Sequence, residues 1–295
     1  MRVVTTPSFF AGADELRDQF TGLVGPIRSI DENRFVWDYW HVPDQYTYFR
    51  TLALNVFRPS LIGAFVGALT SWGLAHLGTG QVTSPWLSFY VDGCRQELHT
   101  DVVQGMWSYV YSLTEWDDRH FSGGETLLGG SRLLDYWGSY DPTKSRESRH
   151  LIERIPAHFN QLCVFDSRLP HGVATVEGTR DPLQARVVLH GWFHDPLATS
   201  VGPLSLEAAA PTLATVRARW QEEKERFGPL IGQATWRLTV DQDGKVRVVE
   251  LVVDNLITTE TGTSGPSETL TACESLLRRT TFPKSEGTSI LLFPL

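Results

Sequence analysis

At 295 residues, with 41% hydrophobic and 20% charged residues, the chain has the composition of a globular protein with an ample apolar core. Its formal net charge of −8 disfavours nucleic acid as a partner, because phosphate binding requires a basic surface. The three cysteines, Cys94, Cys163 and Cys273, are scattered and odd in number, so they predict buried thiols and not a disulfide set or a Cys-x-x-Cys site.

The N-terminal part is predicted to be apolar packing. No signal-peptide core follows the first residues, so we expect a cytoplasmic protein. Residues 61–77 are apolar and uncharged, yet they fall short of the roughly 20 residues that a membrane span prefers. They therefore predict a buried helix packed on a sheet, and no membrane partner. The aromatic residues of 35–48 indicate core packing, with substrate contact by Trp37 or Trp40 as the alternative.

Two histidines and an aspartate stand at the ends of predicted strands in the middle of the chain. His99 and Asp101 follow the strand-like run 86–91, and His171 follows the run 162–166. Composition alone yields about one His-x-acid match, so the strand context carries the prediction. Two imidazoles and one carboxylate can occupy one face of an iron(II) ion and leave the other face open for a co-substrate and dioxygen.

The motifs between residues 80 and 195 follow a specific order. First come a predicted strand and His-Thr-Asp, then a second predicted strand and Ser-Gly-Gly-Glu. These are followed by Val-Phe-Asp, by His-Gly-Val and finally by Arg-x5-Trp-Phe. This order resembles the prolyl-hydroxylase-like group of iron(II)/2-oxoglutarate dioxygenases. The resemblance implies a mainly β fold with flanking helices, a double-stranded β-helix or jelly roll, within a first domain of residues 1–200. It assigns metal binding and catalysis to His99, Asp101 and His171.

The resemblance also implies a basic residue that holds the C5 carboxylate of 2-oxoglutarate. Arg186 matches the group in its Arg-x5-Trp spacing to Trp192. Its planar guanidinium suits a carboxylate. The gap from His171 to Arg186 is longer than usual in the group, so Arg180 competes. We favour Arg186 because it lies in a predicted strand, whereas Arg180 precedes an Asp-Pro turn signal. Tyr90 precedes His99 by about the spacing at which the group often has a tyrosine over the co-substrate. It fits equally well as an ordinary aromatic residue of a strand.

The reaction implied by this resemblance uses iron(II) with 2-oxoglutarate as co-substrate, and allows ascorbate as a further cofactor. We expect hydroxylation of a peptidyl residue, prolyl above all, in a peptide or protein substrate, with release of succinate and CO2. Hydroxylation of a free amino acid or small natural product is the alternative. Asp101 favours hydroxylation over halogenation, because related halogenases carry a small residue there. A catalytically silent jelly-roll binding protein is disfavoured, because the three ligands and the arginine are all present.

Beyond residue 200 the pattern changes. Residues 204–226 have a helical composition and end at Gly228-Pro229, which predicts a helical linker over 201–229. Two alternating runs, 234–240 and 246–253, are joined by an Asp-Gly hairpin signal. A short helix and a last strand follow, so residues 230–295 predict a small α+β (ββαβ) module without catalytic residues.

This C-terminal module resembles the C-terminal domain of TonB-like energy transducers. The resemblance lies in the Asp-Gly-Lys-Val hairpin, Cys273 in the helix and the final Phe-Pro-Leu. Such modules bind a peptide by strand addition, so docking of a peptide substrate is one expectation. A structural role, or dimerisation through the module, is the other. Residues 131–150 are polar and predict a mobile loop or lid that contacts substrate.

Overall fold

The computed structural model describes residues 3–24, 38–130, 133–134, 136, 140–144, 151–258 and 265–295. Most of the predicted lid at 131–150 lies outside these residues, and so does Trp37. Within the described ranges, no helix combines the length and the apolar character needed to cross a membrane.

Four helices and seventeen strands are described in these ranges. The helices are Ala13–Val24 (α1), Pro59–His76 (α2), Leu206–Arg226 (α3) and Gly265–Arg279 (α4). The strands are Val3–Thr6 (β1), Asp38–Val42 (β2), Tyr46–Leu52 (β3), Trp86–Tyr90 (β4), Arg95–His99 (β5), Trp107–Ser112 (β6), Thr126–Gly129 (β7), Ile152–Ile155 (β8), Leu162–Asp166 (β9), His171–Val173 (β10), Arg186–Phe193 (β11), Thr199–Val201 (β12), Leu230–Ile231 (β13), Ala234–Val240 (β14), Val246–Asp254 (β15), Ile257–Thr258 (β16) and Ser289–Pro294 (β17).

Eight consecutive strands, β4 to β11, form the central antiparallel sheet in two halves. One half has the order β9-β6-β11-β4, and the other has the order β5-β10-β7-β8. The chain passes back and forth between the halves, which is the strand order of a jelly roll. The hairpin of β2 and β3 was not predicted; β3 pairs with both β4 and β5 and so joins the halves into one continuous sheet.

Helices α1 and α2 cover one face of the β6–β11 half. The buried side chains of α2 recur every three or four residues at Leu61, Phe65, Leu69 and Trp72. They share an apolar core with Val187 and Leu189 of β11, and each such side chain contributes roughly 1.5–3 kcal/mol to folding. Because side chains alternate along a strand, the even-numbered residues of β11 point to the opposite face, into the barrel.

The C-terminal residues form a second sheet with the order β12-β17-β14-β15 and an apolar core of its own. Trp236 of β14 and Phe293 of β17 lie in that core together with Leu213 and Trp220 of α3. The helix predicted as a linker thus packs on the C-terminal sheet. The domain boundaries at residues 200 and 229 stay predictions.

Gly172 occupies a position where β10 lies close against β5. A Cβ atom at Gly172 would lie 2.4 Å from the carbonyl oxygen of Gln96 and 3.1 Å from that of Glu97. Backbone atoms in a strand pair cannot move aside easily, so we expect Gly172→Ala to lower the free energy of unfolding by roughly 1–3 kcal/mol. Urea unfolding measures this change.

The matched control is Gly67→Ala in α2. Gly67 is exposed, and a Cβ atom there would meet nothing within 4 Å. Alanine should raise the free energy of unfolding by roughly 0.5–1 kcal/mol, because glycine loses more backbone entropy in a helix. If both substitutions change the free energy of unfolding equally, the close approach of β10 to β5 does not explain the glycine at position 172.

Candidate active site

The two predicted histidine ligands face each other across a strand pair. His99 ends β5, His171 begins β10, and they are register partners with ring centroids 4.4 Å apart. Each Nδ1 lies 2.9 Å from a backbone carbonyl oxygen two residues earlier, that of Glu97 for His99 and that of Leu169 for His171. A carbonyl oxygen only accepts, so each Nδ1 carries a proton and each Nε2 is left to face the Asp101 carboxylate or a metal ion.

Asp101 completes the group. Its backbone N–H donates to the carbonyl oxygen of Ser167 at 3.0 Å, which holds the residue after the end of β5. One carboxylate oxygen lies 3.0 Å from Nε2 of His171, and the other lies 3.6 Å from Nε2 of His99. A carboxylate oxygen only accepts, so Nε2 of His171 donates to Asp101 at this distance, and a metal cation can take the place of that proton.

The charge states of these residues suit a metal ion. Burial by itself would raise the pKa of Asp101, but the His171 ring and the Trp192 N–H outweigh burial and hold that pKa at about 2. Burial, and then the neighbouring His171, lower the pKa of His99. At neutral pH Asp101 is therefore an anion and His99 is neutral, which are the protonation states of metal ligands.

The ligand atoms of His99, Asp101 and His171 all lie within 4.8 Å of one another. Among the described residues no other three histidine, cysteine, aspartate or glutamate side chains form such a group. Two imidazoles and one carboxylate on one face, with open positions opposite, are the ligands of non-haem iron(II) in oxygenases. The donor set therefore fits iron(II).

Arg186 lies in the same cavity and is incompletely paired. Its exposed fraction is 1%, and its Nη2 donates to Oγ1 of Thr126 at 3.1 Å. The Tyr90 hydroxyl contacts the guanidinium, but Nε and Nη1 are buried without a hydrogen bond of good geometry among the described residues. Burial lowers the pKa of Arg186, yet a guanidinium stays protonated in proteins. Buried donors without partners are costly, so this guanidinium calls for an anionic ligand such as a carboxylate.

Tyr90 and Arg180 differ in their relation to this cavity. Tyr90 is buried and lines it, with Cζ of Arg186 4.8 Å from the tyrosine ring centroid. Arg180 is 89% exposed, and its Nε lies 3.6 Å from a carboxylate oxygen of Asp92. The structure thus brings Arg186 and Tyr90 together with the three ligands, and places Arg180 on the surface.

The cavity has a volume of about 460 Å³, which is within the usual range for small-molecule sites. Sequence reasoning did not find two of its contacts. Nε1 of Trp192 donates to the Asp101 carboxylate at 2.9 Å, and Arg50 of β3 lines the cavity. His190 also lines it, with Nε2 2.8 Å from Oγ of Ser88. The alternation of Arg50 with Tyr48 and Tyr46 along one strand face was the signal that could have revealed the arginine.

No protein-family model matches the chain, and no curated protein matches its sequence. Several solved structures resemble it. A prolyl hydroxylase from Trichoplax adhaerens, in complex with a peptide fragment of the hypoxia inducible factor oxygen degradation domain, is 15% identical over 65% of this chain and 83% of its own, with a TM-score of 0.43. A Pseudomonas putida prolyl-4-hydroxylase is 16% identical over 65% of this chain and 92% of its own, with a TM-score of 0.44. A 2OG-Fe(II) oxygenase family protein from Burkholderia pseudomallei is 15% identical over 65% and 84%, with a TM-score of 0.42. Similarities of this size do not assign an activity.

The three-residue group predicts that loss of one imidazole removes metal binding. His171→Ala should lower the affinity for Co(II), a stable substitute for iron(II), by at least about 100-fold, which exceeds the usual effect of residues that only orient a ligand. Isothermal titration calorimetry measures the affinity. The control is His194→Ala, because His194 is exposed and lies outside the cavity. Unchanged Co(II) binding by His171→Ala would exclude this group as the metal site.

The hydrogen bond from Trp192 predicts a smaller effect on the same measurement. Trp192→Phe keeps the aromatic ring but removes the N–H that donates to Asp101. We expect a loss of about tenfold in Co(II) affinity, as is typical of a residue that orients a ligand. An affinity equal to that of the wild type would show that Asp101 is oriented by its other contacts alone.

Proposed function

We propose that the protein is an iron(II)- and 2-oxoglutarate-dependent dioxygenase that hydroxylates an organic substrate. One observation carries the proposal: a single cavity contains both a convergent His-Asp-His group and a buried, incompletely paired arginine. The first fits a divalent metal ion, and the second fits the far carboxylate of a dicarboxylate. A 2-oxo dicarboxylic acid satisfies both groups at once, because its keto-acid end can chelate the metal while its far carboxylate meets the arginine.

In this proposal each residue has a distinct task. His99, Asp101 and His171 hold iron(II) on one face, and the Trp192 N–H orients the Asp101 carboxylate. Arg186 binds the C5 carboxylate of 2-oxoglutarate.

Tyr90 packs beside that guanidinium. Burial raises the pKa of Tyr90, so its hydroxyl stays neutral and is available as a hydrogen-bond donor to the co-substrate.

Iron(II) with 2-oxoglutarate supplies the oxidation of a C–H bond to C–OH by dioxygen, with the 2-oxo acid converted to succinate and CO2. The chain's own contribution is to orient the co-substrate between the metal ligands and Arg186. Ascorbate remains a further cofactor that the proposal allows.

For the substrate we propose two candidates: a peptidyl residue, prolyl above all, and a free amino acid or small natural product. Strand β15 lies at the edge of the C-terminal sheet as described, and this supports docking of an extended peptide, since a peptide can pair with an edge strand. The shared core of that sheet with α3 supports a structural role instead. A TonB-like module, a dimer through it, and a cytoplasmic location remain predictions.

Substitution of the two candidate arginines tests the role of Arg186. Arg186→Ala should raise the KM for 2-oxoglutarate about 100-fold or more, because an unpaired carboxylate in a buried site costs on the order of 3–5 kcal/mol. Arg180→Ala should leave this KM unchanged, because its side chain lies on the surface. Succinate release at varied 2-oxoglutarate concentration measures both values.

The reverse result would assign the carboxylate to Arg180. A normal KM in both variants would mean that neither arginine binds 2-oxoglutarate. Thermal unfolding of Arg186→Ala is the necessary control, since Thr126 loses its guanidinium partner in this variant.

A further inference from the structure

A second arginine in the cavity has no acidic partner among the residues that the structure describes. The guanidinium of Arg50 lies between two indoles, with Cζ 3.0 Å from the ring centroid of Trp40 and 4.2 Å from that of Trp86. Its Nε is buried and has no hydrogen-bond partner, and no ion pair to Arg50 occurs among the described residues. The Tyr48 hydroxyl is a hydrogen-bond partner of this guanidinium. Indole faces stabilise a cation without using its N–H groups, so the remaining donors, the buried Nε among them, stay available to a ligand.

The strand register places Arg50 apart from Arg186 on the same inward face. Arg50 pairs with Ser88, Ser88 pairs with Val188, and Arg186 lies two residues before Val188. With about 4.8 Å between strands and about 3.4 Å per residue, the two arginine Cα atoms are roughly 12 Å apart. The two cations therefore start from different places on the cavity wall.

The direction of the Arg50 side chain is toward the metal ligands. Its guanidinium lies against Trp86, which pairs with His190, and the next inward residue of β11 is Trp192. Trp192 contacts Asp101, whereas Arg186 lies at the other end of β11. A molecule held by Arg50 would thus lie near the metal and would not need the position of 2-oxoglutarate.

The charged side chains that line the cavity leave one cation without a counterion among themselves. The charged side chains that line it are Arg50, Arg186 and Asp101, which sum to +1 (+1 +1 −1) when the histidines are neutral ligands. Iron(II) and the 2-oxoglutarate dianion add no net charge. One monoanionic group from a second molecule would balance the site.

We propose that Arg50 binds a carboxylate of the substrate, so that the substrate is a small carboxylic acid, free amino acids included. The proposal rests on the proposed function and names its substrate class. Trp40 and Trp86 offer an apolar wall on either side of the carboxylate site for the body of such a molecule. An internal residue of a peptide has no carboxylate and would leave Arg50 unpaired.

The test compares acids with their own amides. Co(II)-loaded, 2-oxoglutarate-saturated, oxygen-free protein is titrated with the twenty L-amino acids, phenylacetate and 3-phenylpropionate, and with the primary amide of each. We expect at least one acid to bind roughly tenfold or more tightly than its amide, as loss of a charge-assisted hydrogen-bond pair predicts. In Arg50→Gln that preference should disappear, and in Arg50→Lys part of it should remain.

The control variant is Arg278→Gln, which neutralises an exposed arginine of α4 and should keep the full preference. Thermal unfolding shows whether Arg50→Gln is folded; if it is not, Arg50→Lys against wild type gives the same comparison at constant charge. Binding of amides as tight as acids, an acid preference that survives Arg50→Gln, or no binding of any acid overturns the proposal. If the wild-type protein does not bind 2-oxoglutarate, the proposed dioxygenase function is wrong. Failure of the function is thereby distinguished from failure of the carboxylate proposal for Arg50.

Discussion

The pairing of β5 with β10 is the contact on which the site depends. It sets His99 opposite His171, although seventy-two positions separate them in the chain (171 − 99). The backbone bond from Asp101 to Ser167 then fixes the third ligand against the same pair of segments. Gly172 permits the close approach, because a side chain there would meet the backbone of β5. The three candidate ligands are thus positioned by main-chain pairing, which is stiffer than positioning by side-chain contacts alone.

Strand β11 joins this site to the rest of the molecule. Its odd-numbered residues, such as Val187 and Leu189, anchor the strand in the apolar core beneath α1 and α2. Its even-numbered residues carry Arg186 and Trp192 into the cavity. Burial of one face therefore supplies the free energy that holds a charged, incompletely paired guanidinium on the other face. This division explains how the fold retains a group as costly as Arg186 before any ligand is bound.

Local sequence pattern was sufficient for much of the fold and the three-residue group. Strands at 162–166 and 186–193 follow from runs of β-branched and aromatic residues, and the strand position of Arg186 separated it from Arg180. The alternation of Arg50 with Tyr48 and Tyr46 indicates one shared strand face, but that this face lines the cavity depends on β3 pairing with strands more than thirty residues away. The Trp192 contact with Asp101 is likewise a long-range consequence of the barrel, which no local pattern contains.

The most direct test of the account is calorimetric binding of 2-oxoglutarate and of glutarate to the oxygen-free protein, with and without Co(II). Glutarate has both carboxylates but lacks the keto oxygen that chelates a metal. The account predicts that 2-oxoglutarate binds the Co(II)-loaded protein about 100-fold more tightly than glutarate, a difference of roughly 2.8 kcal/mol, and that Co(II) removal abolishes this difference. Equal affinities for the two acids on the Co(II)-loaded protein would contradict it.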